Sequence, residues 1–234
     1  MKFTKMGKQK IQPIKGIKAM MILLKSKSNT KGFVDINTSL NGTCLDDRIN
    51  EWSKTSMGKK YQNGERLPLK DTYPKNSVGD VLVKFLGQYA GKTSDLRKLN
   101  TLPPKNPQIA FINWIIDCHD ISHIMTDYGQ DVAGEILRIE YEIAQSYMRG
   151  YQIVSWMFQF RTLFLSPIKF FKFRKMVKEA RKRASESTNL HLVDWFEYLD
   201  EPYDFVRDRV ARVKPAELYQ RDDPYWYDWA EKHF

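Results

Sequence analysis

The stretch Ile109 to Met125 contains neither glycine nor proline, and it carries two histidines four residues apart, His119 and His123. Residues i and i+4 of a helix lie one above the other on the same face, which is the spacing helical zinc sites use. Asp120, three residues before His123, leans toward the same side. The pattern then breaks at Tyr128-Gly129-Gln130: glycine tolerates the left-handed conformation that closes a helix, and Asp131 stands where a helix N-cap is wanted. A second helix is predicted from Val132 to Arg149, ending at Gly150. His123 and Glu135 each lie six residues from Gly129. On one straight helix they would stand roughly 18 Å apart at 1.5 Å per residue and could not share an ion. A helical hairpin turning at Gly129 sets them opposite each other instead. Two imidazoles and one or two carboxylates then converge, a nitrogen and oxygen set suited to zinc, iron or manganese and less well to magnesium. The competing reading keeps His119 and Asp120 as hydrogen-bonded interior groups and Glu135 as a solvated helix residue. An inward carboxylate, however, needs a partner, because burying it alone costs several kcal/mol.

The remainder of the chain is also written in helical period. Pro13 opens a predicted helix Ile14 to Lys25, with Ile17, Met20, Met21 and Leu24 on one face. Residues 26 to 76 read as short helices joined by loops, Cys44 to Trp52 the clearest. Ser77 and Asp80 form a cap signature ahead of Val81, Leu82, Phe85, Leu86 and Tyr89, closed by Gly91. The prolines of Asn100 to Pro107 restart the chain at Gln108. Pro167 precedes a basic helix Ile168 to Ala184, and a last helix is expected near Asp194 to Val210. No alternating strand pattern competes, so the fold class expected is all-α: a single helical domain over residues 13–234, built around a metal-binding antiparallel hairpin, behind a flexible basic lead at residues 1–12.

Composition narrows the function classes. Cys44 and Cys118 are the only cysteines, too few to staple this fold, and no secretory signal is seen, so a reducing compartment is expected. No apolar run reaches the roughly 20 residues of a spanning helix. The longest, Ile153 to Ser166, contains Gln159 and Arg161 and reads as a buried helix, with a lipid-facing surface as the alternative. The net charge of +10 sits in two patches: nine lysines and no acid in residues 1 to 34, and eight bases against Glu179 from Lys169 to Arg183. Such basic faces are most often simply solvated; among partners, anionic membrane suits them better than nucleic acid, because aromatic residues do not interleave with the bases as a stacking platform requires.

The spaced signature His119-Asp120-Ile121-Ser122-His123, eleven residues, Glu135 resembles that of the ubiquinone biosynthesis Coq-four family, matching at all four positions. Looser likeness extends over about residues 13 to 210, through Ser77-Val78-Gly79-Asp80 to Phe85-Leu86 and through Trp195-Phe196-Glu197, Pro202 and Val206-Arg207. The turn Thr126 to Asp131 is more polar, and the Lys172 to Arg183 helix more basic, than the family pattern. The resemblance implies His119, Asp120, His123 and Glu135 as ligands of a divalent ion, usually taken as zinc. It implies a polyprenyl lipid substrate and decarboxylation of a polyprenyl hydroxybenzoate ring, coupled to its hydroxylation. Zinc has no redox chemistry, so an oxidative step needs oxygen, a redox metal or a partner enzyme. The expected location is a cytoplasmic, peripheral position on an anionic membrane surface, or the mitochondrial matrix face of the inner membrane in a eukaryote. Other ubiquinone biosynthesis enzymes are the expected partners, with a homodimer as a further candidate.

Three other readings compete. A non-catalytic, metal-containing scaffold that binds polyprenyl lipid and organises the biosynthetic enzymes would use the same ligands. A variant His-Glu-x-x-His peptidase is disfavoured because aspartate is one methylene shorter than the glutamate base. An HD-type phosphohydrolase needs a histidine well upstream, whereas the only histidines are His119, His123, His191 and His233.

Overall fold

A computed structural model describes residues 46–68, 70–88, 107–146, 149–221 and 223–233. The basic lead, the predicted helix Ile14 to Lys25, Cys44, the Tyr89 to Gly91 helix end and most of the proline-rich loop lie outside them. The described residues fold as an all-α protein. Its helices are α1 (Asp46–Trp52), α2 (Ser56–Gln62), α3 (Val78–Gln88), α4 (Pro107–Thr126), α5 (Val132–Gln145), α6 (Arg149–Leu165), α7 (Pro167–Glu186), α8 (Trp195–Tyr198), α9 (Tyr203–Phe205) and α10 (Pro224–His233). No helix among the described residues is long and apolar enough to cross a membrane.

Helix α4 is the axis of the fold. It touches α1, α2, α3, α5 and the 3-10 turn Leu190–Leu192, so it is buried on nearly every side, as a helix surrounded by neighbours must be. Ala110, Trp114, Ile121, Ile124 and Met125 are all buried in the core, each large side chain contributing about 1.5–3 kcal/mol. Its inward polar groups are matched: Asp117 accepts from Tyr61 Oη (2.5 Å) and from Arg66 Nε (2.7 Å). Trp114 Nε1 donates to the His191 carbonyl at 2.9 Å. On the other side α5 packs on α7, α6 and α10, and α7 packs on α6.

Helix α3 starts as its cap signature predicts, with Ser77 Oγ accepting from Asp80 N at 3.2 Å. Its other free amides, Val78 N and Gly79 N, donate to the carbonyls of Glu201 (3.0 Å) and Leu199 (2.7 Å). Those carbonyls would otherwise continue α8, and Pro202 has no amide to offer. The predicted single helix from Asp194 to Val210 is therefore broken into α8, α9 and a π-turn, Val206–Ala211, that closes at left-handed Arg212 (φ 55°).

The predicted helix Val132 to Arg149 is likewise two elements. Helix α5 stops at Gln145, Ser146 leaves helical geometry (φ −148°, ψ 82°), and Gly150 falls inside α6. Polar groups of the 187–190 segment pull the chain aside here. Gln145 Nε2 donates to Ser187 Oγ and the Thr188 carbonyl, both at 2.8 Å, and Asn189 Nδ2 reaches Ser146 Oγ at 3.1 Å. Helix α10, absent from the sequence reading, packs Trp226 into the core against Phe173 (ring centroids 5.7 Å).

Candidate metal centre

The turn between α4 and α5 does reverse the chain, but its chemistry differs from the prediction. The left-handed residue is Asp127 (φ 62°), not Gly129. At Gly129 the space is tight: a Cβ there would stand 2.6 Å from Tyr219 Oη and 2.8 Å from Asp131 Oδ2, so both side-chain ends would have to shift. Its amide donates to Tyr219 Oη at 2.9 Å, so the turn is bound to the C-terminal segment. Asp131 caps α5 as expected, Oδ1 accepting from Ala133 N and Gly134 N at 3.0 Å each.

This reversal brings one ligand atom each from His119, His123 and Glu135 within 4.8 Å of one another. His119 Nε2 is 3.5 Å from Glu135 Oε2, and His123 Nε2 is 3.2 Å from Glu135 Oε1. The two imidazole centroids are 4.7 Å apart. Both Nδ1 atoms are already engaged. His123 Nδ1 donates to the Tyr128 carbonyl at 2.9 Å, and His119 Nδ1 donates to Asp120 Oδ1 at 3.0 Å. Asp120 therefore enters the site through its contact with the back of His119; it is not among the three converging ligands. A backbone carbonyl and a carboxylate are the usual acceptors behind metal-bound histidines, where they set the tautomer that leaves Nε2 with a lone pair.

The surroundings hold these groups in place. His123 has no exposed surface, and Phe85 of α3 stacks on it at 5.7 Å between centroids. Its Nε2 is buried and faces only the Glu135 carboxylate, 3.2 Å away without hydrogen-bond geometry, an arrangement that an ion between the two would satisfy. Glu135, with 31% of its side chain exposed, forms the open side. Burial and the Arg138 guanidinium push the His119 pKa down, but the Glu135 and Asp120 carboxylates outweigh them and lift it to about 9. Burial favours the neutral form of Glu135, yet the two imidazoles hold its pKa well below the ordinary carboxylate range. Positive charge at the His119 imidazole is thus favoured, and a divalent ion would replace the proton there.

A buried polar network not foreseen from sequence supports Glu135. Arg138 Nε and Nη2 stand 3.4 and 3.5 Å from Glu135 Oε2, while Nη1 donates to Glu142 Oε1 at 2.5 Å. Ser122 Oγ also reaches Glu142 Oε1 at 3.1 Å, and His191 Nε2 lies 3.7 Å from it. Burial raises the Glu142 pKa, but Arg138 and His191 more than reverse this and keep it ionised. The signal for this network was present in the spacing: Glu135, Arg138 and Glu142 recur at i, i+3 and i+7, one face of a helix.

The donor set fits a divalent transition ion: two neutral imidazole nitrogens and a carboxylate oxygen, with their outer hydrogen bonds in place. No curated protein matches the chain by sequence. The fold resembles the crystal structure of a Nostoc punctiforme protein provisionally assigned to ubiquinone biosynthesis, at a TM-score of 0.68 and 17% identity, covering 86% of this chain and 99% of that one. The family model for coenzyme Q (ubiquinone) biosynthesis protein Coq4 matches residues 50–216, a span that includes all of α4, the turn and α5. With well over half its length matched and the signature histidines and glutamate gathered at one point, the chain belongs to the Coq4 family of ubiquinone biosynthesis proteins.

Proposed function

We propose that this chain is a metal-dependent enzyme of ubiquinone biosynthesis that removes the ring carboxylate from a polyprenyl hydroxybenzoate. The observation that supports this most is the convergence of one ligand atom each from His119, His123 and Glu135 within 4.8 Å, with both Nδ1 atoms tied from behind. Three protein ligands are the pattern of catalytic sites, where a position stays open for water or substrate; closed structural sites use four. A divalent ion held there supplies a Lewis acid for the substrate carboxylate and for negative charge developing on the ring.

The protein's own residues set the conditions. Two neutral imidazoles and one carboxylate leave a divalent site with a single net positive charge, which favours an anionic head group. Asp120 and the Tyr128 carbonyl hold both rings in the ligating tautomer. Arg138 steadies the glutamate, and Phe85 covers His123 against water. In the reaction the bond from ring carbon to carboxyl carbon breaks, its electron pair stays on the ring, and carbon dioxide leaves. The ring carbon then takes a proton or, in the oxidative form, a hydroxyl whose oxygen comes from dioxygen, the second oxygen leaving as water on two electrons from a redox metal or a partner enzyme, since zinc would supply none.

The test begins with elemental analysis of the purified protein, followed by incubation with a carboxyl-labelled polyprenyl hydroxybenzoate. Labelled carbon dioxide released by metal-loaded protein, and not by His123→Ala, is the expected result. Fully loaded protein that releases none, alone and with the other biosynthetic enzymes, would replace the enzyme by a lipid-binding scaffold.

A further inference from the structure

Helix α6 carries an aromatic stripe on its outer face and polar groups beside Phe158 on its inner one. Ser155, Gln159 and Thr162 are buried, while Trp156, Phe160 and Phe164 are 51%, 60% and 83% exposed. The expectation that the apolar run Ile153 to Ser166 forms a buried helix is therefore wrong for its aromatic face. Buried Glu140 of α5 accepts from Ser155 Oγ and from Gln159 Nε2 (2.9 Å), while Thr162 Oγ1 donates to the Phe158 carbonyl at 2.8 Å. The outward aromatics recur every four residues and so form one stripe. Ile168 and Phe171, 73% and 65% exposed, continue it past Ser166 onto α7.

Helices α6 and α7 form an antiparallel pair whose register is fixed by Phe158 against Phe173 (centroids 4.9 Å) and by Arg174 Nη1 on Gln159 Oε1 (2.8 Å). These pairs are symmetric about Ser166, so Trp156 stands level with Lys175 while Phe160, Phe164, Ile168 and Phe171 lie nearer the tip. At 1.5 Å per residue the tip from Phe160 to Ser166 is about 9 Å long, within the roughly 5–10 Å that interfacial helices sink into a bilayer. Trp156 and the exposed bases Lys172, Arg174, Lys175 and Lys178 then fall where tryptophan and lysine sit beside lipid headgroups. Residues 143–178 contain no aspartate or glutamate. Lys169, inside the tip, is turned away: its Nζ donates to the Tyr225 carbonyl and lies over the Tyr225 ring. Arg161 has a stem long enough to carry its charge to the phosphate level.

We propose that the α6–α7 tip is a membrane-docking wedge that enters an anionic bilayer surface, its aromatic stripe in the acyl region and its α7 bases on the headgroups. A second copy of the chain is the poorer occupant, because a twofold contact would set Lys172, Arg174, Lys175 and Lys178 against their own like. The wedge is independent of the reaction proposed above, since none of its residues belongs to the metal triad.

The full chain is tested with vesicles of phosphatidylcholine, alone and mixed with phosphatidylglycerol. Expected are preferential binding to the mixed vesicles, at least a tenfold loss of partitioning in F160E/F164E, and a loss in K172E/K175E seen only with the anionic lipid. Brominated lipids should quench parent tryptophan fluorescence, and Trp156→Phe should remove most of that quenching, a readout that lysines elsewhere in the chain do not mimic. Unchanged metal content and helical circular dichroism in F160E/F164E establish that its fold is intact. Unaltered vesicle binding by F160E/F164E overturns the proposal, as does quenching that persists in Trp156→Phe. So does a parent dimer, seen by sedimentation velocity, that F160E/F164E dissolves with vesicle binding unaffected.

Discussion

The two hairpins of this molecule treat polarity in opposite ways. Between α4 and α5, charged side chains lie inside: His123, Asp120, Arg138 and Glu142 are all buried, and they sit among one another. On α6 and α7, Trp156, Phe160, Phe164 and Phe171 lie outside, while a serine, a glutamine and a threonine are inside beside Phe158 and Phe173. The difference shows that burial here follows partnership more than hydrophobicity. Buried Glu140 takes Arg181 Nε (2.6 Å) together with Ser155 and Gln159, and stripping a buried carboxylate of its partners costs several kcal/mol, more than the roughly 1.5–3 kcal/mol from hiding one phenylalanine. A helix beside that carboxylate therefore turns its hydroxyl and amide groups inward and leaves its aromatic stripe to another medium.

Substitutions sharpen or break this contrast. The largest effect is expected from His123→Ala, which removes a fully buried candidate ligand: elemental analysis should find metal content close to background, and Glu135→Gln should lower it less. Parent-level metal in His123→Ala would refute the ligand assignment. Arg138→Met comes next, since it strands Glu142 and Glu135 without their shared cation; urea unfolding should register a loss of about 3–5 kcal/mol. Asp120→Ala keeps all three converging ligands and frees the His119 ring behind them, so competitive chelator titration should show metal affinity about 10- to 100-fold weaker. An undiminished affinity would mean that Asp120 does not orient that ring. The smallest effect belongs to Phe164→Ser, where the ring is largely in solvent. Its unfolding free energy should stay within about 0.5 kcal/mol of the parent, and a loss of several kcal/mol would show that the α6 stripe is packed against something in the folded protein.

Much of the site was legible because its parts are close in sequence or symmetric about one turn. His119 and His123 share a helix face by spacing alone, Asp131 announced the start of α5, and equal distances from Gly129 placed Glu135 opposite His123. The finer roles were not legible. Asp120 stands beside His119 in every conformation of a helix, but only the packed structure shows its carboxylate on Nδ1. Tyr219, which holds the turn and crowds Gly129, is ninety residues away. The helix ends at Gln145 and Tyr198 were missed for the same reason. Local pattern favours continuing each helix, and it is the distant groups at 187–190 and 78–79 that take over the backbone or side-chain hydrogen bonds.

By itself the sequence determined that this chain is helical, that two imidazoles and a carboxylate can meet across one reversal, and which family signature they spell. Those are consequences of period and spacing, set by local backbone geometry. Only the tertiary structure decided that Asp120 stands behind a ring, that Arg138 and Glu142 brace the open carboxylate, and that α6 faces outward with its aromatics. Each of those outcomes depends on which distant polar group arrives to satisfy a buried charge, and a linear pattern carries no record of that.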